Sequence, residues 1–180
     1  MKKISLTGAV AVLTLGVSTS SGAAETVNGG TIKFVGKVVD AGCVVNTTSE
    51  NQIVELGQIK LSDLGSTTGT QAPGRTSFSI QLVGCDTSSV ENAAITFNGV
   101  TATGNTKALV AGEGASAAMG VGIQIFDNKS EPLTFGTAAS AVALIDGTNI
   151  LPFQAGFIST QDKPTAGNAD ATATFTVTYS

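Results

Sequence analysis

Turn-forming residues punctuate this chain so often that only short elements fit between them. Gly57, Gly65 to Gly69, Pro73-Gly74, Gly84, Asn98-Gly99, Gly104-Asn105, Gly112 to Gly114, Asp127-Asn128, Asp146-Gly147 and Gly167-Asn168 succeed one another along it. Between them the apolar residues alternate with a period of two rather than the 3.6 of a helix. Phe78, Ile80 and Leu82 share one face of an extended chain, as do Val121, Ile123 and Ile125, and as do Phe175, Val177 and Tyr179. Strands are expected at 32–40, 52–57, 76–84, 93–99, 120–126, 141–145, 151–158 and 171–179. Charged residues make up only 12% of the chain, so long side chains that favour helices are scarce. An all-β sandwich follows. The Gly-rich segments 65–74 and 101–118 read as mobile surface loops.

The two ends carry the clearest strands. Phe175-Thr176-Val177-Thr178-Tyr179-Ser180 alternates to the last residue, and Ile32-Lys33-Phe34-Val35-Gly36-Lys37-Val38 places Ile32, Phe34, Gly36 and Val38 on one side. An edge strand offers unpaired N–H and C=O groups to any other chain, a hazard that a strand-exchanging protein turns to use. Alternation alone favours a plainer arrangement, in which Phe175, Val177 and Tyr179 are core residues of a complete sandwich and Ile32 to Val38 its own first strand.

A length of 180 residues suits one domain with its own β core, and no linker-like shift or internal repeat argues for a second. Lys2-Lys3, the apolar run from Ala9 to Val17 and the small residues Ser18 to Ala24 form a secretory signal, residues 1–23, with cleavage after Gly22 or Ala23. The apolar run falls well short of the roughly 20 residues that span a bilayer. Export brings Cys43 and Cys85 into an oxidising compartment, where a disulfide between them is the one possible pairing.

Little catalytic chemistry is available. The chain has no His and no Trp, one Arg (Arg75) and one Tyr (Tyr179), which removes most general-base, nucleophile-activating and metal-binding arrangements. Asp127 with Glu131 reads as turn and surface chemistry rather than an acid–base pair. No phosphate-binding glycine motif precedes a helix; Gly120-Val121-Gly122 belongs to an apolar strand. The net charge of −4 becomes −6 once Lys2 and Lys3 are removed, against nucleic acid as a partner. The expectation is a non-enzyme without cofactor or metal.

Several pieces, in order, carry a resemblance that runs the whole chain. They are Thr26-Val27-Asn28-Gly29-Gly30-Thr31-Ile32-Lys33-Phe34, Gly36-Lys37-Val38-Val39-Asp40-Ala41-Gly42-Cys43, Ile80-Gln81-Leu82 before Cys85-Asp86-Thr87, Val121 to Asp127, Leu151-Pro152-Phe153-Gln154-Ala155, and Asn168-Ala169-Asp170-Ala171 leading to Tyr179. In these the chain resembles the structural pilins of chaperone–usher pili, most of all the major subunits of type 1 fimbriae.

The resemblance implies an incomplete immunoglobulin-like β-sandwich, residues 41–180, that lacks its last strand and is completed by donor-strand exchange. Residues 24–40 would be the N-terminal donor extension, running into the first strand, with Ile32, Phe34 and Val38 filling pockets of a neighbour. Gly36, seven residues before Cys43, would meet a pocket too shallow for a side chain. Gly167, fourteenth from the end, with Phe175, Val177 and the penultimate Tyr179, matches the family's chaperone-binding motif, and Ser180 would offer its carboxylate to a basic anchor. Partners would be identical subunits, a periplasmic chaperone and an outer-membrane usher of a Gram-negative bacterium, and the product an extracellular fimbria that supports adhesion. Two other roles fit less well. A minor adaptor pilin would share the same strands; a sugar-binding adhesin usually adds an N-terminal lectin domain, and this chain lacks both the room and the aromatic platforms.

Overall fold

The computed structural model describes residues 29–180, so the signal at 1–23 and the start of the expected extension lie outside the described residues. The chain divides into two units between Lys37 and Val38. In the first, residues 29–37 have no regular secondary structure, and Ile32 and Phe34 are 79% and 88% exposed. The strand expected at 32–40 is therefore not formed. Alternation chooses a face, but a strand exists only where a neighbour takes its backbone N–H and C=O groups. No described strand does so here.

The second unit holds nine strands: β1 (Val44–Val45), β2 (Thr76–Cys85), β3 (Asn92–Asn98), β4 (Thr101–Ala102), β5 (Asn105–Val110), β6 (Val121–Phe126), β7 (Val142–Ala143), β8 (Gly147–Ser159) and β9 (Thr174–Tyr179). One turn of 3-10 helix spans Leu61–Leu64. A six-stranded sheet runs β1-β2-β8-β6-β5-β4, and a three-stranded sheet runs β7-β3-β9, with every strand pairing antiparallel.

The sheets meet through the faces that alternation marked. Ile80 and Leu82 of β2, Leu151 and Phe153 of β8 and Ile125 of β6 pack against Ala93, Ile95 and Phe97 of β3, with Phe175, Val177 and Tyr179 of β9 half-buried beside them. At the centre the Phe97 ring stands edge-on to Phe153, 5.1 Å between centroids, and within 6.1 Å of Phe78 and 6.2 Å of Phe175. Edge-to-face contacts of this kind add to the area they bury.

The strand β6 is buried on both faces, which an antiparallel strand in a two-layer sandwich does not require. A loop supplies the extra cover. Gln71 donates from Nε2 to the buried Gln124 Oε1 (3.0 Å), and the Arg75 guanidinium lies 3.5 Å from the centre of the Phe126 ring. The segment 65–74, expected as a mobile loop, is instead pinned to β8. The Gly69 N–H donates to the Ser159 carbonyl (2.8 Å), the Ser159 N–H to that of Thr70 (2.9 Å) and the Ala72 N–H to that of Phe157 (3.0 Å).

Segment 101–118 also departs from expectation. It contains β4 and β5, joined by a turn at Gly104 whose φ of 76° favours glycine, and it buries Ala108 and Leu109. Flanking glycines hid a strand only six residues long. The strand expected at 52–57 is absent: residues 52–60 have no regular secondary structure, although Val54 and Leu56 turn inward. Cys43 and Cys85 form the expected disulfide, closing a separation of 42 residues. Such a loop is worth about 4 kcal/mol in the chain-entropy model.

Truncating the ring at the sheet-to-sheet centre should cost most. Phe97→Ala is expected to lower the unfolding free energy by about 3–5 kcal/mol in urea titration. The half-exposed Phe175→Ala should cost distinctly less.

Candidate functional site

The smaller sheet does not cover the inner face of the larger one. Three strands lie over six, and β9 ends the smaller sheet, with no strand beyond it among the described residues. Past β9 the face formed by Phe78, Ile80, Ile123, Ile125 and Ala155 opens into a groove. It continues over Val121, Ile123 and Phe157 toward Leu61 and Leu64. Two concave regions of about 740 and 930 Å³ share Gln52, Val54, Leu56, Ile123 and Ala171 to Ala173, so they form one trough. Residues 50–59 make one wall and residues 165–175 the other.

The second wall continues the alternation of β9. Ala169 and Ala173 face inward at the same parity as Phe175, Val177 and Tyr179, and pack partly against the core. A strand with a large residue at each inward position fills its own side of a core. Small residues there leave the depth empty.

The backbone of β9 is equally open. Asn92 and Ser180 exchange N–H···O bonds of 2.8 and 3.1 Å, which fixes the ladder between β3 and β9. Hydrogen-bonded and non-bonded pairs alternate in an antiparallel ladder, so Phe175, Val177 and Tyr179, opposite Phe97, Ile95 and Ala93, direct their N–H and C=O groups away from β3. The matching carbonyls on β3's far side are taken: Gly136 donates to Phe97 (2.8 Å) and Ala139 to Ile95 (2.8 Å). On β9's far side there is no strand among the described residues. An apolar trough with a row of free donors and acceptors along its lip accepts an extended chain.

Both ends of the trough are tied. At one, the Tyr179 hydroxyl donates to the Cys43 carbonyl (3.2 Å), joining the end of β9 to the disulfide-bonded root of the first strand. Burial pushes the Tyr179 phenol above its ordinary value. At the other, residues 165–170 cross residues 116–119. The Ala118 N–H donates to the Asn168 carbonyl (2.8 Å) and the Asn168 N–H to that of Ser116 (2.8 Å). Gly167 permits this crossing, because a Cβ there would lie 2.4 Å from the Ala118 nitrogen and 2.5 Å from the Ala117 carbonyl carbon.

The structure thus brings Phe175, Val177 and Tyr179 together on one lip and puts Gly167 at the far end of the same wall. Cys43 and Cys85 anchor the near end. One carbonyl oxygen of Ser180 accepts from the Glu91 and Asn92 N–H groups (2.9 and 2.8 Å). Ile32, Phe34, Gly36 and Val38 are exposed. Sequence reasoning missed the wall at 50–59 as a wall, and the alanines at 169, 171 and 173; their shared parity with Phe175 was the available signal. Asp127 accepts from the Lys129 and Glu131 N–H groups (both 2.9 Å), which is turn formation.

These features define a class: an antiparallel β-sandwich with an open groove beside its C-terminal strand. A chain of a solved chaperone–usher pilus superposes with a TM-score of 0.72 at 26% identity, covering 87% of this chain and 100% of that one. The family described as Fimbrial protein matches residues 32–180. The S-fimbrial protein subunit SfaA of Escherichia coli O6:K15:H31 is 45% identical over 170 residues, 93% of this chain and 92% of the relative. The type-1 fimbrial protein A chain of Escherichia coli K12 is 39% identical over 174 residues, 94% of each. The chain belongs to the fimbrial protein family and is a subunit of a chaperone–usher pilus.

Two substitutions probe the tied ends. Gly167→Ala should destabilise the subunit by about 1–3 kcal/mol, since backbone must move to admit the methyl; a shift in urea midpoint at unchanged slope reads it. Tyr179 holds its proton more tightly folded than unfolded, so its contribution is complete below the unfolded value near 10 and declines as pH rises through the folded one. Stability of the parent should therefore fall more steeply above pH ~10 than that of Tyr179→Phe.

Proposed function

We propose that this chain is the repeating shaft subunit of its fimbria and that it polymerises head-to-tail, residues 24–40 of one copy entering the groove of the next. The observation that carries this reading is the unpaired lip of β9 above an apolar trough. The resemblance to the major subunits of type 1 fimbriae favours the shaft over an adaptor.

Dimensions agree with the reading. The wall formed by residues 165–175, if extended, spans about 33 Å at about 3.3 Å per residue, room for a strand of about ten residues. The exposed segment from 29 to 40 supplies that length. With Ile32, Phe34 and Val38 against the floor, each buried side chain would contribute roughly 1.5–3 kcal/mol, and Gly36 would meet the shallow pocket that the resemblance implies. Backbone pairing along Phe175, Val177 and Tyr179 adds about 0.5–1.5 kcal/mol per net hydrogen bond. Dissociation would be slow.

Before assembly the same lip needs a guardian. A periplasmic chaperone would lend a strand along β9, with Gly167, Phe175, Val177 and Tyr179 as its contact set and the Ser180 carboxylate as its anchor point. An outer-membrane usher would then exchange that strand for the incoming extension. Because the donor segment and the groove are different surfaces, the contact is heterologous and grows a filament when its rotation does not close. The fibre would emerge at the cell surface after export of the chain, cut after Gly22 or Ala23, through the periplasm.

Removing residues 23–40 tests the role. The truncated subunit should bind the chaperone and cap a growing fibre, yet produce no polymer of its own. Parent fibres, run unboiled in SDS, should give a ladder that collapses on heating in acid. Normal fibres from the truncated chain would overturn the donor assignment.

A further inference from the structure

The groove carries charge of one sign. Its charged lining residues are Glu50, Glu55 and Asp170, all exposed: the first two on one wall, the third on the other. Asp170 shares the outward parity of Thr172 and Thr174, while its neighbours Ala169 and Ala173 turn to the core. Lys60, between the lining residues Ile59 and Leu61, and Lys163, two positions before Thr165, do not themselves line the groove, so its charged lining is acidic. The segment at 29–40 carries the complement. Lys33 and Lys37 alternate with Ile32, Phe34, Gly36 and Val38, so a strand that turns those four to the floor turns both lysines to the mouth.

We propose that Lys33 and Lys37 steer the donor segment of one copy into the groove of another by meeting the acidic rim formed by Glu50, Glu55 and Asp170. This rests on the donor-strand reading above and adds to it the residues that set encounter. The lysines are four positions apart, about 13 Å along an extended strand, so both can face a rim whose acidic groups stand on the two walls.

Exposed pairs of this kind add little to the stability of the finished contact. Their field acts before contact, raising the encounter rate by a factor of ten or more at low salt and fading as the Debye length shrinks from about 10 Å at 0.1 M to about 3 Å at 1 M. The parity rule also discourages wrong registers. A slip of one residue would drive both lysines into an apolar floor.

The test uses the purified mature chain and a fluorescent peptide of residues 29–40, with anisotropy following entry into the groove. At about 0.05 M salt the parent peptide should enter at least about tenfold faster than a Lys33→Glu/Lys37→Glu peptide, and the gap should close to within about twofold at 1 M. A Glu55→Lys/Asp170→Lys subunit should reverse the preference at low salt. Equal entry rates at low salt, a gap that survives 1 M salt, or no reversal would each overturn steering while leaving strand insertion intact. If neither peptide enters at any salt, the donor-strand reading falls, and steering falls with it.

Discussion

The mismatch between a six-stranded sheet and the three-stranded sheet laid over it governs this structure. Two sheets of equal breadth would bury each other's inner faces and leave only edges to protect. Here Ile123, Ile125, Phe78 and Ile80 extend past β9, under walls built mostly of chain outside both sheets. Apolar surface and unpaired backbone, the two quantities that folding normally hides, are exposed in the same place. Each alone would be a defect; together they have the shape of one missing strand.

Keeping that place open requires rigidity around it. The four phenylalanines at 78, 97, 153 and 175 lock the sheets together up to the lip, so β9 cannot slide across to close the trough. The Cys43–Cys85 disulfide and the Tyr179 hydroxyl hold one end, and the crossing at Gly167 holds the other. Between these ties the wall is built of alanine, which withholds the volume that would fill the gap from within. The opposite wall, residues 50–59, has no ladder partners among the described residues: a turn at its start gives way to irregular chain.

Much of the architecture was legible because it follows from alternation. The cores of β2, β3, β6, β8 and β9 lie where Phe78, Ile80, Leu82, Val121, Ile123 and Phe175 put them. Length was harder: β8 runs from Gly147 to Ser159, through Pro152, because its early residues pair with β2 and its late ones with β6. What alternation could not reveal was pairing. Residues 52–57 have the pattern of a strand without the partner, whereas 105–110 have a partner that their glycine flanks concealed. Periodicity reports which face of a segment is apolar and carries no information about whether another chain will lie beside it. Within the site, the lip residues Phe175, Val177 and Tyr179 were readable for the same reason. The groove itself was not, since a vacancy is a property of three distant segments at once.

A site built as a vacancy separates affinity from speed. Depth, floor and free backbone fix how long an inserted strand stays, and they are set by buried residues that solvent ions reach poorly. The charges at Glu50, Glu55 and Asp170 are exposed on the groove lining, where salt screens them, and on the proposed steering would bear on arrival instead. A filament needs both properties in different places: bonds that persist once made, and a way for one acidic, weakly charged subunit to find another of the same sign. On the proposed steering, the lysines of residues 29–40 opposite the acidic mouth would make the approach locally attractive although the two molecules, each of net negative charge, repel as wholes.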